Sequence, residues 1–366
     1  RIVIITGVRR SGKSTLLRSS IGNSDKSLFL SFEDPRLEGF DMSDFMKVEE
    51  IAIQTQKKYL LFDEIQNVDQ WEKYIRSAND RGIHTYITGS NASLLSRELG
   101  TRLTGRYTQL ELYPFSYSEF LLFRNLHPGP ESYREYLNTG GFPEYLTNHD
   151  NSYLRQLLKD IIIRDIAVRR NIRNESTIVK LAVHLLSNIG KEFSYSNITR
   201  LLEISSVRST IDYCDYLKES YLADLIPLYS RSIKKQIANP KKAYCIDTGL
   251  ARANSLSFSE DKGRIFENAV FMHLRRDHDD IMYYKDAKSE CDFLVRMNDN
   301  ILLVIQACWH INEDNLQREI LGISNAMRES NAKEGMIITF NQEDELQGIK
   351  VMPAWKWESL KQQKNN

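Results

Sequence analysis

Apolar and polar positions alternate in blocks along the first third of the chain. Short apolar segments, rich in β-branched and aromatic residues, are separated by longer segments with helical spacing. The apolar segments are 2–5, 28–32, 59–62, 83–88 and 107–112. Continuous apolar segments of this length are typical of strands that are buried on both faces. Strands that alternate with helices in this way predict an α/β fold with a parallel sheet.

The segment after the first predicted strand matches the phosphate-binding pattern G-x-x-x-x-G-K-[ST]. Its residues are Gly7, Val8, Arg9, Arg10, Ser11, Gly12, Lys13, Ser14 and Thr15. Glycines let the backbone wrap a phosphate, and the N–H groups at the start of the next helix point towards it. In this pattern Lys13 reaches the β- and γ-phosphates and the Ser14 hydroxyl binds Mg²⁺. Because no guanine-recognition motif is evident, we expect ATP and Mg²⁺ here.

An acidic pair, Asp63 and Glu64, follows the third predicted strand. Ligands of parallel sheets bind at the carboxyl ends of the strands, where this pair lies. We expect Asp63 to hold Mg²⁺ through its water shell and Glu64 to polarise the attacking water. The alternative is a solvated acidic turn. A second acid that activates water favours hydrolysis over phosphate transfer to another acceptor.

Four more residues are candidates for the same site. Ser90 and Asn91 follow the fourth predicted strand, where a polar side chain can contact the γ-phosphate or the attacking water; they can also cap a helix. Arg102 and Arg106 precede the fifth strand. Either arginine can act as a finger from a neighbouring subunit, which makes an oligomer possible, or can form a surface salt bridge.

A helix-turn-helix pattern is predicted further along, with helices at 197–203, capped by Ser196, and at 207–219. Strands at 221–229 and 244–246 then enclose a basic wing. The candidate DNA contacts are Arg208, Arg231, Lys234 and Lys235, and Lys241 and Lys242 extend the basic run. The second helix also carries three acids, which weaken binding to phosphates. Double-stranded DNA is therefore one candidate partner, and protein packing is the alternative.

Several stretches together resemble a large group of prokaryotic AAA ATPases. They are 7–17 (GVRRSGKSTLL), 32–37 (FEDPRL), 61–66 (LFDEIQ), 88–95 (TGSNASLL), 105–121 (GRYTQLELYPFSYSEFL), 140–146 (GGFPEYL), 160–166 (DIIIRDI) and 242–250 (KAYCIDTGL). The resemblance implies an ATPase core over 1–120, a helical lid or connector over 121–186, a winged helix over 187–255 and a restriction-endonuclease-like domain over 256–366. Arg164 would report on nucleotide from the lid, or serve a structural role.

The C-terminal part is similar to the restriction-endonuclease core, whose active site is an acid followed by acid-x-Lys on the next strand. Asp292 fills the first position, and Glu267 could assist it. Gln306 and Cys308 occupy the other two positions. A neutral amide is a poor Mg²⁺ ligand, and a thiol cannot supply the positive charge of a lysine. We therefore predict a domain that does not cut DNA.

Composition limits the remaining possibilities. Lys and Arg number 49, as do Asp and Glu, so any DNA contact must come from a local basic patch. The four cysteines form no Cys-x-x-Cys pair, which predicts buried thiols in a reducing cytoplasm. No apolar run reaches the roughly 18 residues of a membrane span. Because the sequence begins with Arg1 directly before a strand, we expect it to be a segment of a longer chain.

These observations lead to two hypotheses about function. The leading one is an ATP-hydrolysing switch or motor whose accessory domains contact DNA. The alternative is a nucleotide-gated protein-interaction module, with slow turnover, an unknown protein partner and no nucleic acid.

Overall fold

The computed structural model describes residues 2–21, 25–91, 107–256, 262–298 and 300–360. Arg102 and Arg106 lie outside these ranges. The chain divides into two compact units, one of Arg1–Tyr113 with Glu219–Tyr221, and one of Pro114–Lys218 with Leu222–Asn366. The predicted boundaries at 120, 186 and 255 stay predictions. Within the described ranges, no helix combines the length and the apolar character that crossing a membrane requires.

The first unit is a five-stranded parallel sheet with helices between its strands. Its elements are β1 (Ile2–Thr6), α1 (Lys13–Ile21), β2 (Ser27–Ser31), α2 (Asp44–Gln54), β3 (Tyr59–Asp63), α3 (Trp71–Asp80), β4 (His84–Gly89) and β5 (Tyr107–Glu111). The strand order is β2-β3-β4-β1-β5, and all neighbouring strands are parallel. The predicted α/β class and the five predicted strands are confirmed.

Both faces of this sheet are covered, which explains why its strands are continuously apolar. On one face, Phe62 of β3 packs with Phe45 of α2 and Tyr74 of α3, whose rings stack 4.0 Å apart. On the other face, Leu61 packs with Ile5 of β1 and Leu17 of α1. Burial on both faces fixes the register of β1 and β3, and with it the position of the polar residues that follow them.

The second unit begins with helices and a small antiparallel sheet. Its elements to residue 254 are α4 (Tyr117–Arg124), α5 (Pro130–Thr139), α6 (Pro143–Asn148), α7 (Asn151–Asp160), a π-helix (Ile161–Ala167), α8 (Glu175–Ser187), β6 (Glu192–Phe193), α9 (Tyr195–Leu201), α10 (Val207–Glu219, whose last residue belongs to the first unit), β7 (Ala223–Pro227), α11 (Ile233–Ala238), β8 (Lys241–Cys245) and α12 (Thr248–Asn254). The sheet order is β6-β8-β7.

A six-stranded mixed sheet completes the second unit. Its elements are α13 (Lys262–Arg275), β9 (Ile281–Lys285), β10 (Glu290–Met297), β11 (Asn300–Cys308), α14 (Leu316–Ser330), β12 (Gly335–Thr339), β13 (Asp344–Leu346), β14 (Ile349–Pro353) and α15 (Ala354–Ser359). The order is β13-β14-β12-β11-β10-β9, in which β9, β10 and β11 are antiparallel and β11, β12 and β14 are parallel.

Three predictions about the helix-turn-helix region need correction. The first helix begins at Tyr195 and is capped by Ser194, whose hydroxyl accepts from the N–H of Asn197 at 3.3 Å. Both serines can cap a helix, but Phe193 pairs with β8, so the chain leaves the sheet at Ser194. The predicted strand over 221–229 is shorter, and residues 233–238 of the wing form the helix α11. The predicted second helix, Val207–Glu219, is confirmed.

A buried carboxyl group anchors the C-terminal helix α15. The Tyr133 hydroxyl of α5 donates to Oε1 of Glu358 at 2.6 Å, and Nδ1 of His273 in α13 lies 3.7 Å from its Oε2. The Ser118 hydroxyl of α4 donates to the Glu358 carbonyl at 3.3 Å. Burial raises the pKa of Glu358 to about 8, although the Tyr133 hydrogen bond and the charge of Arg276 lower it in part.

This raised pKa predicts a stability that falls as pH rises. The folded protein retains the Glu358 proton between pH 4.5 and about 8, where the unfolded chain has lost it. Below pH 4.5 Glu358 makes its full contribution to the free energy of unfolding. Up to about 5 kcal/mol of that contribution is lost as pH rises from 4.5 through the folded pKa of about 8. We expect Glu358→Gln to remove this part of the pH dependence of the free energy of unfolding, measured by urea denaturation from pH 5 to 9.

The control for this measurement is Glu343→Gln. Glu343 is an exposed acid that pairs with Lys356, which belongs to α15, the helix of Glu358. The loss of the Glu343 charge should leave the pH dependence unchanged. Equal pH dependence in the wild type and in Glu358→Gln would contradict the prediction.

Candidate functional site

The loop between β1 and α1 has a backbone that only particular residues can adopt. Gly7 has φ +148°, and a Cβ atom there would lie 2.0 Å from the carbonyl oxygen of Leu112. Gly12 has φ +101°, and Arg10 is in the left-handed region at φ +67°. The two glycines of the sequence pattern therefore lie where a turn and a close approach require them.

The Lys13 side chain lies inside this loop. Its Nζ donates to the carbonyl oxygens of Gly7 at 3.0 Å and Val8 at 2.9 Å, and lies 3.7 Å from Oε1 of Glu64. The buried Ser11 hydroxyl has no hydrogen-bond partner within the described part of the chain. A buried ammonium and an unpaired buried hydroxyl in one loop, at a helix start, suit a phosphate group.

Asp63 stands at the centre of a hydroxyl network at the carboxyl ends of three strands and the start of α1. Oγ of Ser14 lies 2.8 and 2.9 Å from its two carboxylate oxygens. The Thr88 hydroxyl donates to Oδ1 at 2.7 Å, and the Ser31 hydroxyl donates to Oδ2 at 3.2 Å. A hydroxyl beside a carboxylate is a set of oxygen donors that fits Mg²⁺.

Glu64 is held in an uncommon conformation beside this network. Its backbone is left-handed, with φ +51° and ψ +47°, and its N–H donates to the Thr88 hydroxyl at 3.0 Å. The Gln66 amide donates to its carboxylate. Left-handed backbone at a non-glycine residue costs about 1 to 3 kcal/mol and is concentrated at functional sites. The Glu64 carboxylate thus contacts Gln66 and lies 3.7 Å from Nζ of Lys13.

The remaining predicted site residues have different positions. Ser90 and Asn91 follow β4 and are buried at the same sheet edge. Arg9 pairs with Glu33, which follows β2, at 2.7 Å. Sequence reasoning missed Ser31, Thr88 and Gln66. The first two could have been noticed, because each is a small polar residue at the end of a strand next to β3.

The predicted DNA-contact residues differ in the partners they bind, which the sequence does not indicate. Arg208 pairs with Asp212 on α10 at 3.0 Å, and Arg231 donates to the Glu329 carbonyl at 3.0 Å. Lys234 and Lys235 are exposed on α11. Lys241 and Lys242 were predicted to extend the basic surface of the wing, and that prediction was wrong. The Lys241 ammonium binds three backbone carbonyls that close α11, and Lys242 is buried.

The C-terminal residues singled out from the sequence do lie together. The Asp292 N–H donates to Oε1 of Gln306 at 3.3 Å, and Nε2 of Gln306 donates to Glu319 at 2.7 Å. Glu267 and Asp292 each have an oxygen within 3.7 Å of Nζ of Lys242. Among the residues that the structure describes, no group of three His, Cys, Asp or Glu side chains is arranged to hold a metal ion.

Comparison with known proteins places this geometry in a family. A model described as AAA domain matches residues 1–121, and a model of a domain of unknown function (DUF8612) matches residues 130–261. An uncharacterized protein of Methanocaldococcus jannaschii is 34% identical over 393 aligned positions, which cover 98% of this chain and 88% of that protein. The chain belongs to the same family. Its first unit is an AAA-type P-loop domain.

Two further comparisons add little about activity. An uncharacterized protein of Haemophilus influenzae is 30% identical over 381 positions, covering 97% of this chain and 94% of that protein. The solved structure of Cdc6p from Pyrobaculum aerophilum shares 14% identity over 66% of this chain and 83% of that one, with a TM-score of 0.28. A score this low supports no argument about function.

The Gly7 geometry of the AAA domain predicts a large cost for a single methyl group. Gly7→Ala combines a strained φ with a clash against the Leu112 backbone, so we expect the free energy of unfolding to fall by about 2 kcal/mol or more. Gly82→Ala is the matched control, because Gly82 also has a positive φ, +79°, but faces open space. Its cost should be about 1 kcal/mol. Similar losses for both variants in urea denaturation would contradict the role given to the Leu112 contact.

Proposed function

We propose that this protein binds ATP with Mg²⁺ at the loop between β1 and α1, hydrolyses it, and uses the cycle to drive a conformational switch or motor. The observation that carries the proposal is the convergence of four side chains at one sheet edge. Oγ of Ser14 lies 2.8 Å from Oδ1 of Asp63, and Nζ of Lys13 lies 3.7 Å from Oε1 of Glu64. A lysine, a hydroxyl and two acids in this arrangement match the needs of phosphate binding and water activation.

The binding step follows from the partners of Lys13. Its ammonium is held by two loop carbonyls, which are neutral partners that incoming phosphate oxygens can replace. The loop N–H groups and the start of α1 add further positive potential. Ser14 and Asp63 would hold the Mg²⁺, which neutralises phosphate charge when bound.

Glu64 is the proposed general base. It would orient a water molecule and accept its proton as the water attacks the γ-phosphate. Its strained backbone, the hydrogen bond to Thr88 and the contact with Gln66 restrict the directions its carboxylate can take. Because Asp63 is engaged with three hydroxyls, the two acids have separate tasks, one holding Mg²⁺ and one activating water.

The outer parts of the site are assigned on the resemblance to AAA ATPases. Ser90 or Asn91 would contact the γ-phosphate or the attacking water, and their burial at the end of β4 supports a fixed position. Arg102 or Arg106 would serve as a finger from a neighbouring copy, so an oligomer is part of the proposal. The four cysteines are free and buried, which supports the proposed cytoplasmic location.

The partner that the cycle acts on has two candidates. Double-stranded DNA is supported by Lys234 and Lys235, which are exposed on α11, with Arg208 and Arg231 as further contacts. A protein partner is supported by Ile233 and Ile237 of the same helix, which are 74% and 71% exposed. Large exposed apolar side chains are common at protein interfaces, whereas DNA contacts are mainly polar and charged.

The C-terminal domain is proposed not to cut DNA. Gln306 is engaged with both Asp292 and Glu319, and the Cys308 thiol donates to the His310 carbonyl at 3.4 Å, so both replaced positions serve structural contacts. Mg²⁺-dependent cleavage of duplex DNA that disappears in Asp292→Ala would contradict this.

The first test is steady-state ATP hydrolysis. Glu64→Gln should keep ATP affinity and lower kcat by at least about 100-fold, because the amide can orient water but cannot accept its proton. Lys13→Ala should lose binding itself. Asp69→Asn is the control, since Asp69 is an exposed acid of the same loop. Hydrolysis unchanged in Glu64→Gln would remove Glu64 from the mechanism.

The second test separates the two partner classes. If DNA is the partner, duplex DNA should raise the ATPase rate, and Lys234→Glu with Lys235→Glu should weaken DNA binding at least about ten-fold. The control pair is Lys333→Glu with Lys350→Glu, two exposed lysines of the same unit that give the same change in charge. A low ATPase rate that DNA does not change, with no DNA binding, would favour the protein-interaction module.

A further inference from the structure

Tyr221, just after helix α10, has an unusual backbone for its residue type. Its φ is +60°, in the left-handed region. The N–H of Leu222 donates to the Leu217 carbonyl at 2.9 Å, which is a common way for a helix to end. Glycine or asparagine usually supplies the left-handed residue of such an end, as Asn125 and Asn331 do after α4 and α14. A tyrosine in this conformation is strained, and such strain is concentrated at functional sites.

The Tyr221 side chain makes a contact that needs its length and its hydroxyl. Tyr221 is 7% exposed, and the hydroxyl donates to Oγ1 of Thr6 at 2.9 Å. The two residues are 215 positions apart in the chain, yet both belong to the first unit. Residues 219–221 belong to that unit, whereas the residues on either side of them belong to the second. The strained position therefore brings a residue from late in the chain to the end of β1.

Thr6 is the residue from which the candidate phosphate-binding loop departs. It is the last residue of β1, it is buried, and it pairs with Gly89 of β4 and Glu111 of β5. Gly7 follows it, and the Gly7 carbonyl accepts from Nζ of Lys13 at 3.0 Å. The Tyr221 hydroxyl thus holds the residue directly before a carbonyl that binds Lys13.

We propose that Tyr221 is a positioning residue for the candidate phosphate-binding loop and links nucleotide binding there to the C-terminal end of α10. The inference rests on the proposed ATP site. The hydroxyl acts through Thr6 and restricts the start of the loop, while a bound phosphate restricts the same loop from its other side. Each contact orders what the other needs ordered, so each makes the other more favourable. Such a coupling is reciprocal, so the state of the helix end alters nucleotide affinity by the same factor.

A buried hydrogen bond that only stabilises the first unit makes a different prediction. In both cases loss of the Tyr221 hydroxyl lowers the free energy of unfolding, because Oγ1 of Thr6 loses a buried partner. Only a positioning residue also changes the nucleotide affinity of the folded protein and the response of α10 to nucleotide. Those two measurements, and not stability, are therefore informative.

Nucleotide affinity is measured by isothermal titration of the full chain with ADP and Mg²⁺, which avoids turnover. Tyr221→Phe keeps the ring and removes only the hydroxyl. We expect its Kd for ADP to rise about five-fold, which is the size of one net hydrogen bond. Thr6→Val removes the partner hydroxyl at nearly the same volume and should act similarly. The double variant should be no weaker than either single variant, because all three lack the same hydrogen bond.

Hydrogen exchange tests the link to α10. The Leu222 N–H, which bonds to the Leu217 carbonyl, reports on the end of the helix. In the wild type, saturating ADP with Mg²⁺ should slow exchange of residues 217–223 at least about three-fold, because it reduces local opening. In Tyr221→Phe, saturating ADP should leave this exchange unchanged.

Tyr86→Phe is the matched control. Tyr86 is a half-buried tyrosine of β4 in the same unit, and it pairs with Val3 of β1, away from Thr6. Its variant should keep the ADP affinity of the wild type and the slowing of exchange by ADP.

The outcomes separate this inference from the ATP site on which it rests. Equal ADP affinity in the wild type, Tyr221→Phe and Thr6→Val would overturn the positioning role and leave the ATP site standing. Exchange of residues 217–223 that ADP does not slow in the wild type would overturn the link to α10. A wild type that binds neither ADP nor ATP would overturn the ATP site and this inference together.

Discussion

The candidate site depends on the hydrogen bonds that the buried Asp63 carboxylate accepts from three hydroxyl groups. A charged group in a protein interior is tolerated only when hydrogen bonds replace its water. Asp63 obtains them from Ser14, Ser31 and Thr88, which belong to the first helix and to two neighbouring strands. One side chain therefore connects the start of the first helix with three strand ends. Parallel strands make this possible, because their carboxyl ends meet at the same edge of the sheet.

Strain in the surrounding loops depends on the same support. Gly7, Arg10, Gly12 and Glu64 all have positive φ values within two short connections. The glycines adopt such values without strain, whereas the left-handed backbone of Arg10 and Glu64 costs free energy and persists only because the surrounding structure holds it. The strands cannot shift, because Leu61 and Phe62 of β3 are packed on opposite faces of the sheet. A rigid hydrophobic core thus holds an unusual backbone at the candidate site.

The second unit contains a buried cation, Lys242, where the first unit contains a buried anion, Asp63. Lys242 is buried, and burial alone would lower its pKa, but the carboxylates of Glu267, Asp292 and Glu290 outweigh that effect and raise it. For Glu358 the balance is the other way: burial is the main cause of its raised pKa, and the Tyr133 hydrogen bond and the charge of Arg276 lower it only in part. Whether a buried group is charged therefore depends on the balance between burial and its charged and hydrogen-bonding neighbours.

The sequence by itself determined the strands of the first unit and the residues of the candidate phosphate-binding loop. Apolar periodicity and the G-x-x-x-x-G-K-[ST] spacing are local signals, and local signals survive without knowledge of the fold. Ser194 and the short helix α11 were missed because two serines offered equivalent caps and a basic run suggested a loop.

Only the tertiary structure decided which distant residues complete each cluster. Ser31 and Thr88 reach Asp63 across strands that are neighbours in space and separated in the chain by 32 and 25 residues. Lys242 looked like part of a solvated basic run, and its burial became visible only with the packing around it. Charge and spacing along a chain do not report which side chains leave water, because that depends on packing between segments far apart in sequence.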